Sequence, residues 1–163
     1  MRSTNLKAAI ATGNEDEIIE ALRNGAGNPT DATIRTVKKL ASETHSARVR
    51  NLAALTLLDC GAPDTADLMI DLVTRAETRG SRGTLLYVVA ELEAIVPLPV
   101  LLDILVQDSH EARAEALGLL AAAEYPPGNV EQALPVLRSM AHSSDKEAAE
   151  HAREAIEILT SID

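Results

Sequence analysis

Apolar residues along this chain recur every three or four positions, which is the spacing of one face of an α-helix. Leu68 and Leu72 form one such stripe, and Leu101, Ile104 and Leu105 form another. This periodicity favours helix over strand. The pattern therefore predicts an all-α protein.

Glycine and proline interrupt the apolar stripes at short intervals, and helix-capping residues follow several of the interruptions. The interruptions are Gly13-Asn14, Gly25 to Pro29, Gly61 to Pro63, Gly80 with Gly83, Pro97 with Pro99, and Pro126-Pro127-Gly128. Between them the pattern predicts ten helices, over residues 3–12, 14–24, 30–43, 46–59, 64–77, 82–95, 98–107, 110–123, 129–142 and 145–160. Short helices joined by short loops pack as antiparallel neighbours.

Two kinds of helix alternate with a regular period. Asp71 and Asp103 occupy equivalent places in apolar first helices, 32 positions apart. Arg50, Arg82 and Arg113 occupy equivalent places near the start of the second helices, with steps of 32 and 31. A helix-pair repeat with a period in the thirties is typical of solenoid proteins.

The segment from Leu102 to Asp108, followed by Ala112-Arg113 and Ala116-Leu117, resembles a HEAT repeat. In that family an apolar first helix and an Asp in the turn precede a second helix with a Val-Arg pair and an Ala-rich stripe. The resemblance implies a right-handed solenoid of about five antiparallel helix pairs. On this interpretation residues 1–163 form a single domain, in which residues 29–163 hold about four HEAT-like repeats.

The first 28 residues depart from that pattern. Ala8-Ala9, Gly13-Asn14, Ile18-Ile19 and Gly25-Ala26 are more similar to an ankyrin helix pair, but this pattern does not recur later in the chain. Terminal repeats of a solenoid need a polar outer face. We therefore interpret residues 1–28 as an atypical capping pair.

Composition supports a helical core and a reducing compartment. The 163 residues include no Phe and no Trp, so the apolar content comes mainly from Ala and Leu, which are strong helix formers. No stretch of about 18 consecutive apolar residues could span a membrane. The lone Cys60 cannot form an internal disulfide and is expected to be a buried small hydrophobe. The expected location is the cytoplasm.

The net charge of −10 is distributed unevenly. Residues 1–82 carry 11 basic and 11 acidic side chains, whereas residues 83–163 carry 4 basic and 14 acidic ones. The whole acidic excess therefore lies in the second half. Such a surface repels nucleic-acid backbones and attracts cationic partners.

The sequence contains no recognisable catalytic or cofactor motif. Phosphate loops, Ser-His-Asp arrangements and CxxC pairs are missing, so no catalytic residue, no metal and no cofactor is expected. The four histidines, none of which forms an i,i+4 pair with another, are interpreted as solvated turn residues; they are His45, His110, His142 and His151.

Several arginines stand five positions after an acid. Glu77 precedes Arg82 and Asp108 precedes Arg113 in this way. We interpret these pairs as links that tie a turn to the next helix, rather than as an anion-binding row. Arg48 follows Glu43 at the same spacing, which leaves open whether Arg48 or Arg50 is the equivalent position.

The candidate binding residues lie on the second helices of the pairs. The acidic ones are Glu91, Glu115, Glu150, Glu154 and Glu157. They form either an ordinary solvated face or an acidic docking surface, which a regular solenoid would place on its concave side. One aromatic residue is added to this set: Tyr87, which is either an interface hot spot or a packing residue.

The segment Arg82-Gly83-Thr84-Leu85-Leu86-Tyr87 resembles small bacterial HEAT-like proteins. Some of these act as immunity proteins against toxins used between competing bacteria. The resemblance implies a non-enzymatic protein-binding module, an immunity protein or antitoxin that neutralises a basic toxin or nuclease domain through its acidic half. It implies neither a nucleic-acid nor a membrane partner.

Two alternatives remain at this point. HEAT-like folds also host enzymes or chaperones of the bilin lyase and DNA glycosylase types, and a glycosylase would need a basic face and aromatic contacts to the lesion. The other alternative is a general adaptor in a larger complex. The oligomeric state stays open.

Overall fold

A computed structural model of the chain describes residues 5–25 and 29–161. Within these residues the fold is all-α and contains no strand, as predicted. A single 3-10 turn, Ala76–Thr78, follows the fifth helix. The ten α-helices of the described part are α1 (Leu6–Thr12), α2 (Glu15–Gly25), α3 (Asp31–Glu43), α4 (Ala47–Asp59), α5 (Thr65–Thr74), α6 (Gly83–Glu91), α7 (Leu98–Gln107), α8 (His110–Ala122), α9 (Pro127–Met140) and α10 (Lys146–Thr160).

Four of the described helices, α3, α4, α8 and α10, begin at a capping side chain of the same kind. The N-cap residues Thr30, Ser46, Ser109 and Asp145 each accept a hydrogen bond from the backbone N–H three residues ahead. Such a bond satisfies one of the free N–H groups of the first turn and stabilises the helix by about 1 kcal/mol. The predicted start of the first helix at residue 3, and the part of the predicted capping pair at 26–28, lie outside the described residues.

The sixth helix is shorter than the predicted range 82–95, because it ends at Glu91. Glu93 adopts a left-handed conformation with φ of 51°. The N–H of Ala94 bonds to the carbonyl of Val89, and the N–H of Glu93 bonds to the carbonyl of Ala90. This is a Schellman ending built without glycine, and a non-glycine residue in that conformation gives no sequence signal.

The chain forms two compact units, Met1–Leu72 and Val73–Asp163. In the first unit α1 packs on α2, α2 on α4, and α3 on α4. Its core contains Ala9, Leu22, Val37, Ala41 and Leu57, all at most 2% exposed. The prediction of a single domain is not decided by this division and stays a prediction.

The second unit has two layers of helices. The layer of first helices consists of α7 and α9, and the layer of second helices consists of α6, α8 and α10, in which α8 contacts both of its neighbours. Leu85, Leu101, Ile104, Leu105 and Leu120 are fully buried between these helices. Each such side chain contributes roughly 2 kcal/mol of hydrophobic stabilisation. All candidate binding residues lie in this unit.

None of the helices described here combines the length and the apolar character that crossing a membrane requires.

Candidate functional site

A buried arginine organises the start of α6. The guanidinium of Arg82 is 1% exposed and lies 3.0 Å from Asp103 and 3.2 Å from Asp108. It also donates to the carbonyl of Arg75 and to the hydroxyl of Thr78. Two carboxylates and two neutral acceptors thus surround one guanidinium, which is how a buried charge is compensated.

The carboxylate of Asp108 is held in place by several contacts, as the guanidinium of Arg82 is. Its Oδ1 accepts hydrogen bonds from the backbone N–H of Gly80 and of Ser109. Its Oδ2 is buried and faces Arg82 at 3.2 Å, although the angle is not that of a hydrogen bond. The contact is therefore an ion pair. It fixes the turn before α8 against the turn before α6.

Arg113, near the start of α8, repeats this arrangement one helix pair later. Its guanidinium lies 3.5 Å from Asp145 and 3.5 Å from Glu147, at the start of α10. Each of the two arginines thus pairs with acids of the following helix pair along the chain.

The acid–arginine links expected from the spacing were therefore assigned to the wrong partners. Glu77 contacts Arg75 and not Arg82, and Asp108 contacts Arg82 and not Arg113. Two side chains that stand five residues apart across a turn face different parts of the structure, so each contacts a different partner. The ion pairs are structural, as interpreted. They join one helix pair to the next helix pair, and not a turn to the helix that follows it.

The six predicted binding residues all lie on the layer formed by α6, α8 and α10. Tyr87 and Glu91 are exposed and stand one turn apart on α6. Glu115 is half-buried on α8. The remaining three share one exposed face of α10 at helical spacing, and they are Glu150, Glu154 and Glu157.

Glu115 is in an unfavourable environment for a charged carboxylate. Burial raises the pKa of Glu115 above its ordinary value, and the neighbouring carboxylate of Glu111 raises it further. Both effects disfavour the ionised form. A cation brought to this place would relieve them.

Glu111 lies against the first residue of α6. A Cβ added to Gly83 would stand 2.6 Å from the side-chain carbons of Glu111 and 2.7 Å from its Oε1. A larger residue at this position would have to displace the flexible, exposed side chain of Glu111, because the helical backbone of Gly83 itself imposes no need for glycine. The contact joins the starts of α6 and α8 on the acidic side.

The two tyrosines differ in role. Tyr87 is 41% exposed, so a large part of its ring is open to contact. Tyr125 is half-buried, and its hydroxyl donates to the carbonyl of Val96, 3.1 Å away. Burial also raises the pKa of the Tyr125 hydroxyl. Tyr125 therefore links the loop after α8 to the loop before α7.

Three side chains with metal-binding atoms meet between α8 and α10, and the sequence analysis did not connect them. His110, Glu147 and His151 place their ligand atoms within 4.8 Å of one another. His151 lies inside α10 and is half-buried, so its interpretation as a solvated turn residue was wrong. The signal for this cluster in the sequence is the i,i+4 spacing of Glu147 and His151, which is not visible in the spacing of the histidines alone.

The other two histidines and the cysteine do not belong to this cluster. His45 and His142 are exposed, and Nδ1 of His142 lies 2.8 Å from the carbonyl of Arg138. Cys60 is half-buried and belongs to the first unit. Burial, followed by the nearby charge of Asp59, raises the pKa of the Cys60 thiol, so the thiol is a weak nucleophile.

Asp145, the N-cap of α10, borders the cluster. The backbone N–H of Ala148 is the main cause that lowers the pKa of the Asp145 carboxyl, and Arg113 lowers it further. Asp145 is therefore ionised at neutral pH.

Comparison with known proteins supports the fold and no more. No family model and no curated protein matches the chain. An engineered helical protein solved by the Northeast Structural Genomics Consortium is similar, with a TM-score of 0.51 and 20% identity over 98% of this chain and 87% of that chain. A second engineered protein from the same consortium is similar with a TM-score of 0.50 and 20% identity, over 96% of this chain and 79% of that chain.

Proposed function

We propose that this chain is a non-enzymatic protein-binding module whose acidic second half docks a basic protein. The observation that carries the proposal is the position of Tyr87 and five glutamates on the accessible side of α6, α8 and α10, in a segment with 14 acidic and 4 basic side chains. We further propose that the partner is a basic bacterial toxin or nuclease domain, and that the protein acts as its immunity protein in the cytoplasm.

The layering of the second unit supports a HEAT-like array. First helices pack on first helices, and second helices pack on second helices. Arg82 and Arg113 tie successive pairs together through repeated ion pairs. We propose that this unit is part of a right-handed solenoid of the HEAT-like type. In such arrays the layer of second helices forms an extended binding surface.

Electrostatic steering supports the choice of a basic partner. A surface of one sign accelerates the encounter with an oppositely charged protein, and exposed charges act over about 8–10 Å at moderate salt. Burial, and after it the neighbouring charge of Glu111, raises the pKa of Glu115, so the ionised form of this carboxyl is disfavoured in the free protein. A cationic side chain placed near Glu111 and Glu115 would favour the ionised form.

An apolar anchor would complete the interface. Tyr87 is 41% exposed, and tyrosines are frequent hot spots because a desolvated ring slows dissociation. A cavity of about 360 Å³ lies nearby, where the ends of α6 and α8 meet. Its lining includes Ala90, Ile95 and Ala122, so it would accept an apolar side chain of the partner.

The chemistry of the described residues gives no support to an enzymatic alternative. A lyase that forms a thioether would use a reactive cysteine, whereas the pKa of Cys60 is raised. A glycosylase would need a basic face for phosphates, whereas the charged residues of the second helices of the second unit, α6, α8 and α10, are mainly acidic. An adaptor in a larger complex would use the same acidic surface with a different partner.

The test requires the partner, which we propose to look for as the C-terminal domain of a large secreted protein encoded beside this gene. We expect Glu115→Lys with Glu150→Lys to slow association and to weaken its dependence on salt, measured by stopped-flow mixing at low and high ionic strength. The matched control, Glu124→Lys with Glu131→Lys, changes the net charge equally at exposed positions off the second helices and should retain most of the association rate. If both double variants associate equally fast at each salt concentration, the acidic face is only solvated surface.

A further inference from the structure

The cluster between α8 and α10 has the donor set of a transition-metal site. His110 opens α8, and Glu147 and His151 stand one turn apart on α10. The ligand atoms of the three residues lie within 4.8 Å of one another, and the two imidazole rings are 5.8 Å apart between centroids. Three side chains from two helices therefore converge on one point in the second unit.

His151 adds a second, independent observation. Its Nδ1 is buried and has no hydrogen-bond partner. A buried polar atom without a partner costs about 1–3 kcal/mol, so an unpaired ring nitrogen at this place requires an explanation. A cation bound through this nitrogen, or a water molecule held by such a cation, would supply the partner.

Glu147 can serve as a ligand when its hydrogen bond with His110 is exchanged for bonds from both side chains to the ion, while its contact with Arg113 can remain. His110 Nδ1 lies 2.9 Å from Glu147 Oε1, and Arg113 lies 3.5 Å from the same oxygen. Both contacts use Oε1, so Oε2 remains available to a cation. The charge of Arg113 is also shared by Asp145, at 3.5 Å. Two carboxylates against one guanidinium leave the surroundings negative, which favours a cation.

We propose that His110, Glu147 and His151 bind one divalent transition-metal ion of the Zn²⁺ class. Two imidazoles and one carboxylate suit Zn²⁺ and its neighbours, whereas Mg²⁺ and Ca²⁺ require oxygen ligands. Ligand atoms around a tetrahedral Zn²⁺ stand about 3.3 Å apart. The exposed side chains of His110 and Glu147, at 75% and 45%, can rotate to close the remaining distance.

The ion would hold the starts of α8 and α10 together on the layer that carries the acidic residues. Three protein ligands leave a fourth position for water or for a side chain of another molecule. This site differs from the proposed docking residues, and it holds whether or not the docking proposal is right.

The test is a titration of tag-free protein with Zn²⁺ and, separately, with Co²⁺. Calorimetry with Zn²⁺ should give one site per chain. Co²⁺ should produce the intense visible absorption of a four-coordinate site, which Zn²⁺ then displaces. Melting temperature, followed by circular dichroism, should rise with Zn²⁺ because an ion that binds only the folded state stabilises it.

Variants locate the site. His110→Ala, His151→Ala and Glu147→Gln should each weaken Zn²⁺ binding by about 100-fold or more, since even the loss of an outer partner of a ligand costs 10–100-fold. His110→Ala is the informative variant if His151→Ala folds poorly, because His110 is the exposed member. The matched controls His142→Ala, His45→Ala and Glu131→Gln remove exposed groups outside the cluster and should bind Zn²⁺ as wild type does.

Two results would overturn the proposal. One is the absence of any saturable Zn²⁺ binding by the wild-type protein at concentrations up to about 100 times that of the protein. The other is binding that persists unchanged in His110→Ala and in Glu147→Gln, or that disappears in a control variant, because the ion would then be held elsewhere.

Discussion

At the scale of single residues, the buried guanidinium of Arg82 stabilises the fold through its ion pairs with Asp103 and Asp108. Removing Arg82 would leave Asp108, whose side chain is 0% exposed, without its counter-charge. We expect Arg82→Met to destabilise the protein by about 3–5 kcal/mol. The measurement is the free energy of unfolding from urea titration.

Arg79 provides the control for this prediction. It contacts the same Asp103, at 3.1 Å, but its side chain is 47% exposed. Arg79→Met should therefore cost less than about 1 kcal/mol. Equal losses in the two variants would mean that burial of Arg82 contributes nothing to the strength of its ion pairs.

Glu115 is expected to make stability depend on pH. Its raised pKa means that the folded state keeps this proton to a higher pH than the unfolded state does. The free energy of unfolding therefore falls as pH rises from the ordinary value of about 4.3 through the raised value. Glu115→Gln should be more stable than wild type at pH 7 and equal to it near pH 4, as measured by urea midpoints. A difference that does not vary with pH would contradict this account.

Sequence reasoning at the residue scale was sound for the exposure of Tyr87 and of the α10 glutamates, but it was wrong for the burial of His151 and weak for interaction partners. Tyr87 and the glutamates of α10 are exposed, as helical spacing predicts. The partners of Arg82 lie 21 and 26 positions further along the chain. A local pattern contains no information about such distant pairs, which depend on how helices stack.

At the scale of elements, the starts of α6 and α8 depend on each other through Gly83 and Glu111. Alanine at residue 83 would improve helix propensity by up to about 1 kcal/mol, but its Cβ would displace the Glu111 side chain. We therefore expect Gly83→Ala to gain little in wild type and to stabilise the Glu111→Ala variant. Urea unfolding of all four proteins should give a coupling of about 1 kcal/mol.

Gly118 offers a control for that cycle. It lies in α8, and a Cβ added there would meet nothing within 4 Å. Gly118→Ala should stabilise the protein by the same amount with and without Glu111. Additive effects of Gly83→Ala and Glu111→Ala would show that the close approach carries no energy.

Element boundaries were predictable where a recognisable signal marks them. Pro97 and Pro99 mark the start of α7, whose bounds of Leu98 and Gln107 match the prediction, and Asp145, the first residue of the last predicted range, is the N-cap of α10. The end of α6 was missed because Glu93 occupies a position where glycine is the usual signal. Local chemistry therefore determines most helix ends, and the exceptions are residues that adopt unusual backbone angles.

At the scale of the whole molecule, one layer of helices carries two different kinds of chemistry. The glutamates of α8 and α10 form a negative surface, and the imidazole rings of His110 and His151 lie on the same two helices. The acidic surface could be predicted from the charge distribution alone. The histidine cluster could not be predicted in this way. His110 and His151 are 41 positions apart in the sequence, and only the contact between α8 and α10 brings them together.

A complex with a basic partner is expected to be held by an aromatic side chain more than by surface charge. Charges spread over a surface mainly affect the rate of encounter, whereas a desolvated aromatic ring mainly affects the rate of escape. Tyr87 is the exposed aromatic side chain of this surface, at 41%. We therefore expect Tyr87→Ala to speed dissociation about 30-fold, which corresponds to about 2 kcal/mol, and to leave association nearly unchanged.

The measurement is the dissociation rate from the immobilised toxin domain, compared with that of Val136→Ala. Val136 is 45% exposed but lies on α9, outside the layer of second helices, so its removal should alter neither rate. Both variants should remain folded, because neither side chain is buried. If Tyr87→Ala dissociates no faster than Val136→Ala, the apolar anchor lies elsewhere, and the cavity lined by Ala90 and Ile95 becomes the next place to introduce a substitution.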